Sequence, residues 1–328
     1  MLDNDLGKLR ICVEKPLQSE ENMLHNIRLQ SKSEQHYKKL RAAFLTNKMW
    51  PVNSTISVGF YPTSPTQNIA SFTSIYVMNA RREPDGSSPV LDPIERKIRG
   101  MLPEDAIKTV VRERIQPICG LKFVFVSNVN QANVRIAFDA NGGSWSLVGT
   151  DCLKTNKKTM NFAWLDAATI MHEFGHVLGM VHEHQNPRGN PIKWNIPLVD
   201  EWAKQTQGWS KKTTYRNIIQ HYRVDQINGS KYDSKSIMLY FFPAKLTLNN
   251  ISTNINERLS PMDIEYISKM YPGGITNSEK FYADIYGGSS NNNKFIKFPL
   301  ILVWLVPLLI IVILTIIFFI YRSSRIRK

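Results

Sequence analysis

Residues 172–182 read His-Glu-Phe-Gly-His-Val-Leu-Gly-Met-Val-His, and no other stretch of the 328-residue chain restricts its fold so tightly. Histidines four apart on a helix lie on one face, so His172 and His176 can converge on a single ion. His182 follows His176 by only six residues, and a straight helix would carry it away from that ion. Gly179 resolves the conflict, because glycine takes positive φ and lets the chain turn sharply back. A helix over 167–179, closed at Gly179, is therefore expected. Three neutral imidazoles leave a fourth position open for water, which is the arrangement of a catalytic zinc centre. Glu173, one residue after the first ligand, is placed to act as general base on that water. A structural zinc site would close the fourth position with Cys or His and would leave Glu173 without a task.

The rest of the chain arranges itself around this helix. Residues 50–82 alternate apolar and polar at Ile56, Val58 and Phe60, as strands do, with breaks at Pro62 and Pro65. From 92 to 118 the apolar spacing turns helical, with Ile107, Val110, Val111 and Ile115 on one side. Strand-like runs follow at Leu121–Val126 and Val134–Phe138, then the turn Asn141-Gly142-Gly143 and extended pieces at Ser144–Val148 and Thr159–Trp164. Beyond the histidines the sequence is less regular to about 258. A last helix is expected from Ser260 as N-cap, with Pro261 at its first position, to about Met270.

Downstream of His182 the run Ser236-Ile237-Met238-Leu239-Tyr240 completes a familiar pair of motifs. His172 to His182 followed by this methionine turn resembles the metzincin zinc peptidases. Glu183 directly after the third histidine, and Tyr240 two residues past the methionine, resemble the astacin branch. Gly143-Ser144-Trp145-Ser146, Tyr232-Asp233, and Leu259-Ser260 with Asp263 agree with it, so the likeness runs from about Trp50 to Pro272. It implies an α+β fold: a twisted mixed sheet with two long helices above a less regular C-terminal subdomain. It further implies Met238 as an apolar floor beneath the zinc, and Tyr240 as a group that stabilises the oxyanion. The segment 144–148 corresponds to the family's edge strand, which binds an extended polypeptide substrate by strand addition. The departures are specific. His184-Gln185-Asn186-Pro187 resembles the microbial astacin-like relatives more than the secreted animal enzymes, and three cysteines cannot form the latter's two disulfides. Cys119 and Cys152 could form one bridge or stay as thiols.

Composition locates the remaining parts. The formal charge of +14 does not gather on one aromatic-laced stripe: residues 151–200 are neutral, 201–250 carry +5 and the last 28 carry +4. That distribution fits solvated surface and lipid headgroups rather than nucleic acid, which is not expected as a partner. Residues 298–321 contain no charge and would span about 35 Å as a helix, enough for a hydrocarbon core of roughly 30 Å. Trp304 and Tyr321 suit its interfaces, and a basic tail follows at 322–328. The division expected is a polar, helix-prone leader or pro-segment at 1–48, a catalytic domain at 49–275, a flexible linker at 276–297, and a single-pass membrane anchor. The positive tail argues for an exposed body on the far side, whereas no apolar signal stretch opens the chain to export it, so the side of the membrane stays open. Heavy use of Asn, Ile and Lys suits an AT-rich microbe or large virus, and hence an envelope. The function expected is a membrane-anchored zinc endopeptidase. The alternative is an anchored binding module that keeps the zinc fold without turnover.

Overall fold

The computed structural model describes residues 44–62, 86–223, 227–228, 231–275 and 277–286. The chain divides into two compact units, 1–281 and 282–328, and the architecture below is that of the first, together with a last helix at 278–286 that runs across the boundary. Its chain order opens with β1 (Phe44–Leu45) and β2 (Thr55–Phe60), followed by α1 (Ile94–Ile98) and α2 (Pro103–Val110). Then come β3 (Lys122–Phe125), β4 (Val134–Ala137), β5 (Trp145–Ser146), β6 (Met160–Asn161) and α3 (Ala167–Val177). The remainder holds α4 (Ile196–Gln207), α5 (Lys211–Thr214), β7 (Ile227–Asn228), α6 (Pro261–Met270) and α7 (Ser278–Tyr286).

Among the described residues five strands form one mixed sheet in the order β3-β2-β4-β6-β5. All neighbours are parallel except β5, which runs antiparallel to β6 and ends the sheet. The alternation noted at Ile56 and Val58 places both side chains in the core. The helical stripe Ile107, Val110, Val111 and Ile115 is likewise fully buried. Burying each such side chain contributes about 1.5–3 kcal/mol, which outweighs the modest helix propensity of β-branched residues. The helix expected over 92–118 is interrupted: Gly100 takes φ +80°, separating α1 from α2, and α2 continues as a π-turn over Val111–Ile115.

Beyond the histidines the stretch read as irregular contains α4, twelve residues long. Its signals were local: Pro197 in the first turn, Val199, Trp202 and Ala203 on one buried face, and Gly208 closing it at φ +67°. That face packs with Trp194, Phe242, Leu246 and Tyr240 into a second core cluster. The expected final helix is observed as α6, with Ser260 and Asp263 forming a reciprocal capping box. Within the segment read as linker, residues 278–286 form α7. Residues 44–48, read as the end of the leader, are tied to the domain: β1 pairs antiparallel with β7, and Lys48 bridges buried Asp151 at 2.6 Å. Cys119 and Cys152 are separate buried thiols, pushed up to about 11 and 12 chiefly by burial. The proposed span 298–321 lies outside the described residues. Among the described residues no helix is long and apolar enough to cross a membrane.

Candidate metal centre

α3 is apolar on nearly every side, as a helix sealed in a core must be. Two carboxylates hold its N-terminus. Asp166 accepts from Thr169 N–H at 2.6 Å, and Glu95 accepts from Ala167 N–H at 2.7 Å. Burial, and then the neighbouring Asp166 charge, raise Glu95 to about 7.

The C-terminus is where the sequence argument about Gly179 becomes geometry. Gly179 takes φ +94°. Its N–H donates to His176 C=O at 2.8 Å, and Met180 N–H donates to Gly175 C=O at 3.0 Å. Together these make a Schellman motif with Gly179 at the left-handed position. The last carbonyls are capped from elsewhere in the chain: Val177 by the Trp50 indole at 2.7 Å, Leu178 by the Tyr271 hydroxyl at 2.6 Å, and Gly179 by Leu45 N–H at 3.0 Å. The turn is thereby fixed, and the chain returns His182 to the ligand face.

Among the described residues His172, His176 and His182 form the one cluster able to hold a metal ion, with one ligand atom from each within 4.8 Å of the others. The outer nitrogens of the first two are already committed. His172 Nδ1 donates to Ile237 C=O and His176 Nδ1 to Met180 C=O, each at 2.9 Å. These bonds fix the tautomer and turn both Nε2 atoms inward. Burial, first of all, lowers His172 to about 3 and His176 to about 4, and holds His182 well below its ordinary value. All three are therefore neutral, the state a ligand requires.

The donor set fits zinc. The Nε2 atoms of His176 and His182 stand 3.0 Å apart. Two nitrogens bound at 2.0–2.1 Å in a tetrahedron would be roughly 3.3 Å apart. His172 Nε2 is buried and has no hydrogen-bond partner, a costly state for a lone pair unless a cation takes it.

Glu173 is fully buried on α3 beside the first ligand. Met238 is fully buried beneath the helix, where a Cβ on Gly175 would come within 2.5 Å of its Sδ. Gly175 was not singled out in the sequence. A glycine inside a helix costs about 1 kcal/mol relative to Ala and marks just such a close approach. Tyr240 converges on the site from the same turn: its hydroxyl hydrogen-bonds His182 Nε2, and its ring lies 5.3 Å from that of His172. His184, also without a sequence assignment, stacks on His182 at 5.3 Å and is anchored to Asn217 C=O at 2.9 Å. Glu183 is not part of the histidine cluster; its carboxylate accepts from Asp233 N–H at 2.8 Å and the Asn186 amide at 2.9 Å.

A mixed sheet backed by a ligand-bearing helix, with three imidazoles gathered at a glycine turn over a methionine, defines a zinc metallopeptidase. Residues 101–272 match the family model described as Astacin, a peptidase family. The chain belongs to the astacin family, and it is a zinc metalloendopeptidase. Similar solved structures include one of myroilysin, 29% identical with a TM-score of 0.54, covering 71% of this chain and 100% of that one. A crystal structure of myroilysin is 28% identical with a TM-score of 0.42, covering 69% and 87%. High choriolytic enzyme 1, a hatching enzyme zinc-protease of the medaka Oryzias latipes, is 14% identical with a TM-score of 0.38, covering 69% and 95%. A search of curated proteins returns no match.

Proposed function

We propose that this chain is a membrane-anchored endopeptidase that cleaves extended polypeptide, with Glu173 as general base and Tyr240 as donor to the developing oxyanion. Zinc, when held by His172, His176 and His182, supplies Lewis-acid polarisation of the scissile carbonyl and acidifies a water. The Glu173 carboxylate accepts the water's proton during attack and returns it to the departing amine. The Tyr240 hydroxyl directs its proton towards the carbonyl oxygen as negative charge gathers there. The observation that carries this reading is the contact of the Tyr240 hydroxyl with His182 Nε2, which puts a proton donor at the metal face of a ligand. Gly179 serves the site through its turn and Met238 as its floor. The terminal position of β5 supports strand addition by the substrate, whose backbone would continue the sheet.

Tyr240→Phe is expected to lower kcat by about 10²–10³-fold, the range for removal of one oxyanion donor. Zinc content and KM should change little. Metal analysis and steady-state cleavage of an unfolded protein check this, and unchanged kcat would remove Tyr240 from the mechanism. The anchor rests on the uncharged run 298–321 and the basic residues after it. The full chain should float with anionic phospholipid vesicles and a chain ending at 297 should not; equal flotation of both would refute the anchor.

A further inference from the structure

We propose that Asp263 is a positioning residue for the ligand His172, acting through Ser236 and the peptide between Ile237 and Met238. This deepens, and rests on, the reading of the three histidines as a zinc site. His172 Nδ1 donates to Ile237 C=O at 2.9 Å. The N–H of that same peptide unit belongs to Met238 and donates to Ser236 Oγ at 3.1 Å. The Ser236 hydroxyl donates to Asp263 Oδ1 at 2.7 Å. Every bond in the series points the same way, from the imidazole to a carboxylate, so each polarises the next. All the groups are shielded from solvent: His172 is 5% exposed, Ser236 1%, Met238 0% and Asp263 3%.

Histidine ligands commonly donate their outer N–H directly to a carboxylate, which orients the ring and raises the basicity of the ligating nitrogen. Here the carboxylate lies one peptide and one hydroxyl away, on α6. The capping box of α6 does not account for this placement. Asp263 Oδ2 accepts Ser260 N–H at 2.9 Å and Ile237 N–H at 2.8 Å, which serves the cap and the turn. Oδ1 has no part in the cap and is directed at Ser236.

The test is zinc affinity of the full chain in detergent, measured by competition with a chromophoric chelator at pH 8 below the melting temperature of every variant. That pH lies above the value of about 6 to which burial raises Asp263. Ser236→Ala breaks the series while leaving both Oδ2 contacts, and Asp263→Asn keeps the shape but offers Ser236 a donor where it needs an acceptor. Each should weaken zinc binding about 10–100-fold, the usual effect of removing an outer partner of a ligand. The double variant should be little weaker than either single one, since both cut the same series. Ser260→Ala, which removes the capping hydroxyl and its bond to Asp233 Oδ2 but leaves Asp263 Oδ1 on Ser236, should lower the melting temperature and leave zinc affinity unchanged. If Asp263→Asn does not fold, Ser236→Ala decides the matter. Zinc affinity within twofold of the unmodified chain in folded Ser236→Ala would overturn the relay and leave the zinc site standing. Failure of the unmodified chain to take up zinc would overturn both.

Discussion

Replacing Glu173 with Gln is expected to lower kcat by roughly 10²–10⁴-fold while about one zinc per chain stays bound, the range attributed to a positioned proton-transfer group. The side chain is fully buried on α3, directly after the ligand His172, so the amide occupies the same space. It cannot take a proton from water or hand one to the leaving amine. Stability should not fall, because burying a neutral amide costs less than burying a carboxylate. Cleavage of an unfolded protein, read beside metal content and a melting curve, separates the possibilities. A variant that keeps more than a tenth of the activity would show that Glu173 is not the base. A variant that is inactive because it has lost zinc would place Glu173 in metal retention instead.

Stripping the metal should have the second large effect, on stability as well as turnover. A ligand that binds only the folded state, present at a thousand times its dissociation constant, stabilises by about 4 kcal/mol. For a domain of this size that corresponds to a fall of roughly 8–16 °C in melting temperature when a strong chelator removes it. The expectation follows from how the ligands are gathered. His172 and His176 come from α3 and His182 from the far side of the Gly179 turn, where the Tyr240 hydroxyl, 58 residues further on, meets it. Without a cation His172 Nε2 keeps no partner in a dry site. Activity should vanish with the chelator and return with added zinc. A melting temperature unmoved within about 2 °C, with cleavage retained, would contradict a zinc-dependent enzyme.

The site was legible in the sequence to the extent that its chemistry is local. His172, Glu173, His176 and Gly179 lie within one helix and its cap, where spacing alone sets direction, and α3 with its glycine turn gathers the three histidines. Ser260 and Pro261 marked the start of α6 for the same reason, since capping involves neighbours three residues apart. α4 carries a weak signal in the sequence because its apolar face is narrow and its flanks are rich in Asn and Lys, although Pro197 and Gly208 bracket it. The break at Gly100 was hidden by the continuous apolar spacing on either side of it.

Order along the chain is enough to define the donor set, the turn that unites it and the helix that bears it, all consequences of a 3.6-residue period and one glycine. Tertiary structure decided which nitrogens are left to hold a metal, because the Ile237 and Met180 carbonyls claim the others. It also decided that Trp50, Tyr271 and Leu45 cap the end of α3, that Met238 requires Gly175 above it, and that Asp263 is joined to His172 through Ser236. Most of these relations join residues remote in sequence: 65 positions separate His172 from Ile237, and 127 separate Trp50 from Val177. Hydrogen bonds across such separations are set by how the core closes rather than by any periodicity along the chain.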